Sequence, residues 1–306
     1  MTKTSQEIFT RFQMRKTKKQ KTGFINFLLP EIRGMGYSPK VETNGIFKSR
    51  NIVVGDIKNA GIVFSAHYDT CAAMPVPNFI MPQNILFTVL YSFVLAIPVF
   101  IIAFAVSFTA AYLTSSPVVS SISAMAVCIL LIYLMLFGKA NRHTANDNTS
   151  GVITLLEIMA ALPHELRDNA AFVFFDHEEA GLLGSAAFRK MHRTEMENKL
   201  LVNFDCVSDG DNILFVFSKK AAHEYLEPLK LSTIAVSGKN TVFADVSNTF
   251  YPSDQMHFPL SVGVAALKRG PLGLYMDRIH TNRDTIFDFS NIEFIRGSII
   301  NFLRAI

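Results

Sequence analysis

The sequence predicts a single α/β domain whose central sheet is mixed and largely parallel, flanked by helices and interrupted by a two-helix transmembrane hairpin. Short apolar runs of strand length alternate with helical patterns over most of the 306 residues. Such alternation is typical of a largely parallel sheet covered on both faces. One block, residues 70–138, contains no Asp, Glu, Lys or Arg. We therefore expect residues 1–69 and 140–306 to form the domain, with residues 70–139 inserted as the hairpin.

Six apolar runs have the length expected of buried strands. They cover residues 52–54, 62–64, 171–175, 200–204, 213–217 and 262–267. Helical spacing of apolar residues marks four further segments, which are residues 22–35, 150–162, 185–191 and 291–306. The first of these is the weakest pattern, because Pro30 lacks the backbone donor that a helix interior uses.

The charge-free block contains two apolar runs, residues 85–112 and 118–137, joined by a short polar turn. A membrane-spanning helix needs about 20 apolar residues, and a buried core helix seldom reaches that length without a charge. We interpret the two runs as transmembrane helices, the first kinked at Pro98. The alternative is a pair of helices buried in a soluble core.

Basic residues flank the hairpin on one side only. Lys139 and Arg142 follow it and the basic run 15–21 lies upstream, whereas the turn between the helices is uncharged. The positive-inside rule then predicts that both termini and the domain are cytoplasmic, and residues 1–12 lack the apolar core of a signal peptide. The basic run suits nucleic acid or a solvated helix face beside a membrane. We favour the membrane and expect no nucleic-acid partner.

Imidazoles and carboxylates follow several predicted strands, where α/β folds collect their ligands. The candidates are His67, Asp69, Asp147, Glu178, Glu179, Asp205 and His280. Each alone is explained as a capping, turn or surface residue. Gathered at neighbouring strand ends, they would form a dense anionic cluster whose repulsion a divalent metal offsets. Oxygen and imidazole ligands indicate zinc, manganese or cobalt.

Other classes of site lack their motifs. Gly181 stands where the second histidine of an HEXXH helix would follow His177-Glu178. Neither a G-x-x-x-x-G-K-[ST] phosphate loop nor a G-x-S-x-G serine elbow occurs. The three cysteines, Cys71, Cys128 and Cys206, show no C-x-x-C spacing, so no disulfide framework is predicted.

Five segments, in this order, resemble the zinc aminopeptidases of peptidase family M28. They are His67-Tyr68-Asp69, Asp147-Asn148-Thr149-Ser150-Gly151, Glu178-Glu179-Ala180-Gly181-Leu182-Leu183-Gly184-Ser185, Asp205, and His280-Thr281-Asn282-Arg283-Asp284-Thr285. Each motif alone is weakly specific, whereas five in register are strong, and together they extend over the chain outside the hairpin. The resemblance implies a zinc-aminopeptidase-like fold and hydrolysis of peptide bonds.

The resemblance also implies a site for two zinc ions, with manganese or cobalt as substitutes. Asp147 would bridge the two ions. His67 and Asp205 would complete one metal site, and Glu179 and His280 would complete the other.

Two further residues receive catalytic roles from the resemblance. Glu178 would be the general base. Asp69 would accept the second N–H of His67 and so fix the orientation of that ring. The family pattern also places a cis peptide bond directly after the bridging aspartate, here between Asp147 and Asn148.

One loop departs from the family pattern. A segment of the form S-D-H-x-P-F often precedes the last strand, but residues 253–259 carry Gln255 in place of the histidine. This position is not among the five metal ligands, so the departure concerns contacts to the substrate. Tyr251 and His257 lie nearby in the sequence as alternative contacts.

The leading expectation is a membrane-anchored zinc metallopeptidase that cleaves N-terminal peptide bonds. Because the hairpin lies between His67 and Asp147, two ligands of one ion, we expect the metal centre near the bilayer and a preference for apolar or membrane-associated peptides. The alternative is a hairpin that serves only as an anchor. A second possible function is glutaminyl cyclisation or another amide hydrolysis on the same fold. A third is a non-enzymatic receptor or scaffold, and the complete set of ligands argues against this third function.

Overall fold

The computed structural model describes all 306 residues, Met1–Ile306. Nine strands form one sheet in the order β1-β2-β4-β3-β5-β8-β6-β7, with β9 paired to β8. The strands are β1 Pro39–Asn44, β2 Ser49–Val54, β3 Ile62–His67, β4 Ala170–Phe175, β5 Leu200–Phe204, β6 Asn212–Phe217, β7 Asn240–Asp245, β8 Ser261–Gly270 and β9 Gly273–Tyr275. The centre, β4-β3-β5-β8, is parallel, whereas β1, β2, β6 and β9 introduce antiparallel pairs. The predicted mixed sheet is confirmed, and its centre is parallel.

Eight helices accompany the sheet. They are α1 Lys3–Arg11, α2 Lys18–Gly34, α3 Ile85–Thr114, α4 Pro117–Phe137, α5 Gly151–Ala161, α6 Leu183–Met191, α7 Lys219–Ser232 and α8 Phe289–Ala305. Alternate side chains of β3 enter different layers: Phe64 packs in the core that includes Leu155 of α5 and Ile295 of α8. Val63 packs in a second core with Phe188 of α6. The sheet is therefore covered on both faces, because successive strand residues point to opposite sides.

The parallel centre aligns the residues that matter for the site. His67, the last residue of β3, pairs in register with Phe175, the last residue of β4. Asp205 follows β5 directly, and its N–H donates to Val264 of β8 at 3.0 Å. The strand ends consequently place the candidate residues of three loops at one edge of the sheet.

The hairpin helices α3 and α4 pack against each other and otherwise project away from the domain. Only 6% and 0% of their most apolar 18-residue windows are buried. Core helices would be mostly buried, so the soluble-core alternative does not fit this exposure. By length and composition both helices could cross a membrane. The hydroxyls of Ser107 and Ser120 lie 2.7 Å apart between them, and α3 continues through Pro98.

The structure contains elements that the apolar pattern missed. Strands β1 and β7 are polar or half-exposed edge strands, and β9 has only three residues, so none shows a buried apolar run. Helices α1 and α7 are polar on average, so the search for apolar patterns did not detect them either. Helix α2 begins at Lys18 rather than residue 22, because Thr17 and Gln20 form a capping box, and it continues past Pro30.

The basic run 15–21, which includes the first turn of α2, is only partly a solvated helix face, which corrects that interpretation. Arg15 is fully buried and its guanidinium donates to the Tyr68 carbonyl at 2.5 Å and to the Thr149 hydroxyl at 3.0 Å. Lys21 is also buried and pairs with Asp176 at 2.6 Å. Two of the cations in this run are therefore structural groups beneath the site rather than free surface charge.

Candidate metal centre

His67 and Asp69 leave β3 at the centre of the site. Nε2 of His67 lies 3.4 Å from a carboxylate oxygen of Asp147 and 3.4 Å from one of Asp205. The opposite ring nitrogen, Nδ1, lies 3.1 Å from the backbone carbonyl of Asp69, whose carboxylate is 3.7 Å away. The ring is thus oriented mainly by the main chain of Asp69, with Nε2 directed into the cluster.

The Asp69 carboxylate has closer partners. It accepts the backbone N–H of Glu178 at 3.0 Å and that of Glu179 at 3.3 Å. Burial alone would raise the pKa of Asp69, but contact with His67 and the charge of Lys21 hold it below the usual value. An ionised Asp69 therefore fixes the backbone of the glutamate pair, a contact between two distant loops that sequence reasoning did not foresee.

Asp147 lies in a loop held from behind by Asp284. The Asp284 carboxylate accepts the backbone N–H of Asn146 at 2.8 Å and that of Asp147 at 3.0 Å. The bond between Asp147 and Asn148 is cis, as the family pattern implied. Asp284 is a positioning residue absent from the predicted site, although it stands in the same short motif as His280.

The glutamate pair follows β4 through a tight turn. Gly181 adopts a positive φ of +100°, which few other residues tolerate. Gly184 has a different reason: a Cβ there would lie 1.9 Å from the carbonyl oxygen of Asp176. The stretch from Asp176 to Gly184 therefore folds closely back on itself and presents Glu178 and Glu179 beside the other strand ends.

His280 joins the cluster from the loop after β9. Its Nε2 lies 2.9 Å from the second carboxylate oxygen of Asp147 and 3.3 Å from Glu179. Asp147 thus directs one oxygen to His67 and the other to His280. All the predicted ligands converge, and they divide into two sets that share Asp147.

The buried carboxylates and imidazoles of the cluster shift the pKa values of one another. Burial raises the pKa of Glu179 to about 8 and that of Glu178 well above its usual value. Burial would lower the pKa of His280, but Glu179 and Asp147 raise it to about 10. The pKa of Asp147 is held well below its usual value despite burial, because His280 and His67 donate to it. The protons on these groups are those that a bound dication would displace.

These residues fit a divalent cation. The Oε1 atom of Glu179 is buried and has no hydrogen-bond partner, which is costly unless a cation satisfies it. Ligand atoms of His67, Asp147 and Glu179 lie within 4.8 Å of one another. Two thiols, Cys71 and Cys206, also border the cluster. Burial raises the pKa of both thiols well above the usual value, which disfavours their thiolate forms.

Two cavities open on different sides of the glutamate pair. One, of about 210 Å³, is lined by Glu178, Asp147, Asp205 and His280 together with apolar side chains that include Ile80. The other, of about 360 Å³, is lined by Glu179 and Asp69 and extends to Phe137 at the end of α4. Glu178 therefore faces the smaller cavity, and Glu179 the larger.

Residues 253–259, the loop that departs from the family pattern, form hydrogen bonds that support the neighbouring strand end. Gln255 accepts from Asn203 at 3.1 Å and donates to the Tyr251 carbonyl at 2.7 Å. Tyr251 in turn donates to the Asp205 carbonyl at 3.0 Å and lines the smaller cavity. His257 has one buried, unpartnered ring nitrogen and lines neither cavity. Of the two alternatives from sequence, Tyr251 is the one placed beside the cluster.

Solved structures with the same fold include several peptidases. The Legionella pneumophila LapA aminopeptidase is similar with a TM-score of 0.61 at 14% identity, over 99% of this chain and 69% of that one. The Porphyromonas gingivalis glutaminyl cyclase gives 0.62 at 16% identity, over 98% and 97%. A Zn-dependent exopeptidase from Parabacteroides distasonis gives 0.56 at 12% identity, over 98% and 97%. The zinc-aminopeptidase-like fold is confirmed.

No curated protein matches the chain in sequence. The sequence model of peptidase family M28 matches residues 134–296. That segment is more than half of the chain and carries four of the five predicted ligands, Asp147, Glu179, Asp205 and His280, as well as Glu178. Together with the folds above it supports a zinc peptidase-type hydrolase. The chain therefore belongs to peptidase family M28.

Proposed function

We propose that the protein is a membrane-anchored aminopeptidase with two zinc ions per chain. The observation that carries the proposal is the arrangement around Asp147. Its two carboxylate oxygens lie beside different histidines, 3.4 Å from His67 and 2.9 Å from His280. Asp205 completes the first set and Glu179 the second. Manganese or cobalt would suit the same oxygen and nitrogen ligands.

Zinc ions held by these two sets would supply a water of lowered pKa and polarise the carbonyl oxygen of a peptide. Glu178 is the general base. Its backbone N–H donates to the Asp69 carboxylate at 3.0 Å, and its side chain lines the smaller cavity, with a carboxylate oxygen within 4.8 Å of ligand atoms of His67 and Asp205. The Glu178 carboxylate takes the proton of the attacking water and then delivers it to the nitrogen of the leaving amine.

The volume of the smaller cavity supports the proposal that the enzyme cleaves the N-terminal bond. Its volume of about 210 Å³ suits one side chain and an amino group, not an extended chain. Ile80, Met276 and Ile279 provide apolar walls. The Asp205 carboxylate at the same cavity suits a protonated α-amine. We expect the enzyme to favour peptides whose first residue is apolar.

Anchoring by α3 and α4 places this centre beside the bilayer. The linker before α3 contacts the segment that carries His280: the Met74 N–H donates to the His280 carbonyl at 2.7 Å, and Ile80 pairs with Met276. Basic residues on the domain side of the hairpin support a cytoplasmic domain and cytoplasmic termini. Apolar or membrane-associated peptides are the substrates that such a position favours.

The test of the reaction uses the full chain in detergent with aminoacyl fluorogenic amides, before and after chelation and zinc add-back. Glu178→Gln should lower kcat by about 10²–10⁴-fold while the variant still binds two zinc ions. Glu165→Gln, at an exposed glutamate, is the matched control and should retain activity. Unchanged turnover in Glu178→Gln would remove that residue from the base role. Ammonia release from a peptide beginning with Gln, without peptide cleavage, would favour a cyclase instead.

The role of the hairpin needs a separate variant. Residues 85–137, which comprise α3, α4 and their turn, are replaced by a short polar linker that leaves Ile80 in the wall of the smaller cavity, and substrate preference is compared with that of the full chain in a lipid bilayer. If the shortened chain folds, binds zinc and keeps the same preference, the hairpin is only an anchor. A loss of preference for apolar peptides would support its part in selecting substrates.

A further inference from the structure

The turn between β1 and β2 exposes two large apolar side chains beside a group of cations. Ile46 is 94% exposed and Phe47 is 65% exposed. Neither belongs to the buried cores. Lys48 follows directly, and Phe47 lines a cavity of about 420 Å³ whose other walls are mostly basic. An exposed isoleucine–phenylalanine pair at a turn has no role in packing this fold.

The basic walls of this cavity are Lys16, Lys18, Lys21, Lys48 and Arg50. Lys21 is neutralised by Asp176 at 2.6 Å. The Arg50 guanidinium donates to the Thr22 hydroxyl at 2.9 Å, and none of the four remaining cations has a carboxylate within ion-pair distance. The cavity therefore keeps a net positive charge that complements an anion.

The same cavity lies at the level where the hairpin would leave the bilayer. Nζ of Lys16 donates to the Leu136 carbonyl, in the last turn of α4, at 2.5 Å. Helices α3 and α4 are in register at Ser107 and Ser120. Leu136 follows Ser120 in α4 by as many residues as Tyr91 precedes Ser107 in α3, so Tyr91 and Leu136 lie at the same level of the antiparallel hairpin. The helical segment from Tyr91 to Thr114 then spans about 35 Å. This length matches a hydrocarbon core of about 30 Å with a tyrosine at its boundary.

We propose that the β1–β2 turn and the basic cavity form a second membrane contact, in which Ile46 and Phe47 enter the interface and the cations bind the phosphates of anionic lipids. This inference rests on the proposed anchoring by the hairpin and adds to it the way in which the domain is held against the bilayer. Apolar side chains flanked by lysines are suited to the boundary between acyl chains and headgroups. Each lysine near an anionic surface contributes about 1 kcal/mol, or roughly fivefold in the docking equilibrium.

The chain has no tryptophan, so Phe47→Trp introduces a single fluorescent reporter at the turn. The full chain is reconstituted in nanodiscs of phosphatidylcholine alone or mixed with phosphatidylglycerol, with brominated acyl chains as quenchers. We expect blue-shifted emission and strong quenching in the anionic discs, and weaker quenching in the neutral ones. Leu231→Trp is the control reporter, since Leu231 is exposed at the end of α7, which packs beside β7 at the opposite edge of the sheet.

Charge variants in the Phe47→Trp background test the cations. Lys18→Gln with Lys48→Gln should lower the docked-to-undocked ratio by about 25-fold, and salt should weaken quenching in the same way. Lys58→Gln with Lys219→Gln removes two exposed lysines elsewhere and should have no effect. Equal quenching in neutral and anionic discs, or no quenching in either, would overturn the inference.

Two further outcomes identify the source of a failure. A blue shift caused by inorganic phosphate in neutral discs would mean that the cavity binds a soluble phosphate compound, and would overturn the lipid contact. Failure of the chain to co-elute with the discs would refute the hairpin anchor itself. Co-elution without quenching of the reporter would leave the anchor standing and overturn only the second contact.

Discussion

Asp69→Asn separates two possible roles of one carboxylate. The family resemblance implied that the Asp69 carboxylate accepts the second N–H of His67, but in the structure Nδ1 of His67 lies closer to the backbone carbonyl of Asp69, at 3.1 Å, than to the carboxylate, at 3.7 Å. The carboxylate instead accepts from Glu178 at 3.0 Å and from Glu179 at 3.3 Å. The asparagine keeps the backbone carbonyl and one acceptor oxygen. Its amide nitrogen replaces the other oxygen and faces a backbone N–H, which is left without a partner.

The cost follows from these contacts. Losing one charge-assisted hydrogen bond in a buried site removes about 1.5–3 kcal/mol. Because the displaced backbone carries Glu179, the metal held by Glu179 and His280 should bind 10–100-fold more weakly, in the range typical of groups that orient metal ligands. The metal held by His67 and Asp205 should be largely unaffected.

Zinc titration of the chelated protein, with competition from a chelator of known affinity, measures the two steps separately. Asp168→Asn, at an exposed aspartate, is the matched control and should bind both ions like the parent. Weakening of the step at His67 and Asp205, rather than the step at Glu179 and His280, would restore the role that the family resemblance implied. An unchanged titration would refute the reasoning for Asp69 altogether.

Three further predictions concern protons, charge and packing. The metal-free protein should bind zinc more tightly as the pH rises from about 6 to 8, and it should release protons on binding, because the pKa of His280 is about 10 without metal. Calorimetry in buffers of different ionisation heat measures the number of protons released. A zinc affinity that does not change with pH would contradict this prediction. Lys21→Met should lower the free energy of unfolding by about 3–5 kcal/mol, because it leaves the buried carboxylate of Asp176 without its ion-pair partner. The control variant Lys19→Met, at an exposed site, should change the free energy of unfolding little. Equal thermal stability of the two variants would refute the stabilising role of the Lys21–Asp176 pair. Gly184→Ala should destabilise the protein, because the added Cβ would lie 1.9 Å from a backbone oxygen. Gly23→Ala, at a position in α2 with open space around it, should stabilise the protein by about 0.5–1 kcal/mol. A higher melting temperature for Gly184→Ala than for Gly23→Ala would contradict this account.

The sequence was most informative where one chemical property repeats. Buried strands such as β4 consist of consecutive apolar residues, and α3 and α4 contain no charge, so both kinds of element were predicted close to their bounds. Edge strands β1 and β7 lack such a signal because solvent covers part of them. Their existence depends on the neighbouring strand that supplies hydrogen-bond partners, which no local pattern records.

The candidate site shows the same division. Short motifs that resemble the family pattern indicated the candidate ligands, because metal ligands and turn glycines must have particular chemistry at particular spacings. The motifs did not reveal Asp284 behind Asp147, since that contact joins residues 137 positions apart. They also did not reveal that Arg15 is buried beneath the loop that carries Asp147, because a basic run in sequence resembles a solvated surface.

Sequence alone therefore determined the layered α/β class and the two apolar helices, since composition and spacing carry that information directly, and the family resemblance of its motifs supplied the candidate metal ligands. Only the tertiary structure decided which glutamate faces which cavity, that Asp69 holds the glutamate backbone, and that Asp284 holds the backbone of Asp147. Each of these depends on where separate loops meet at the end of the sheet. The same is true of Phe47 and Lys16, which lie on separate elements and share a cavity only after the sheet, α2 and the hairpin have packed together.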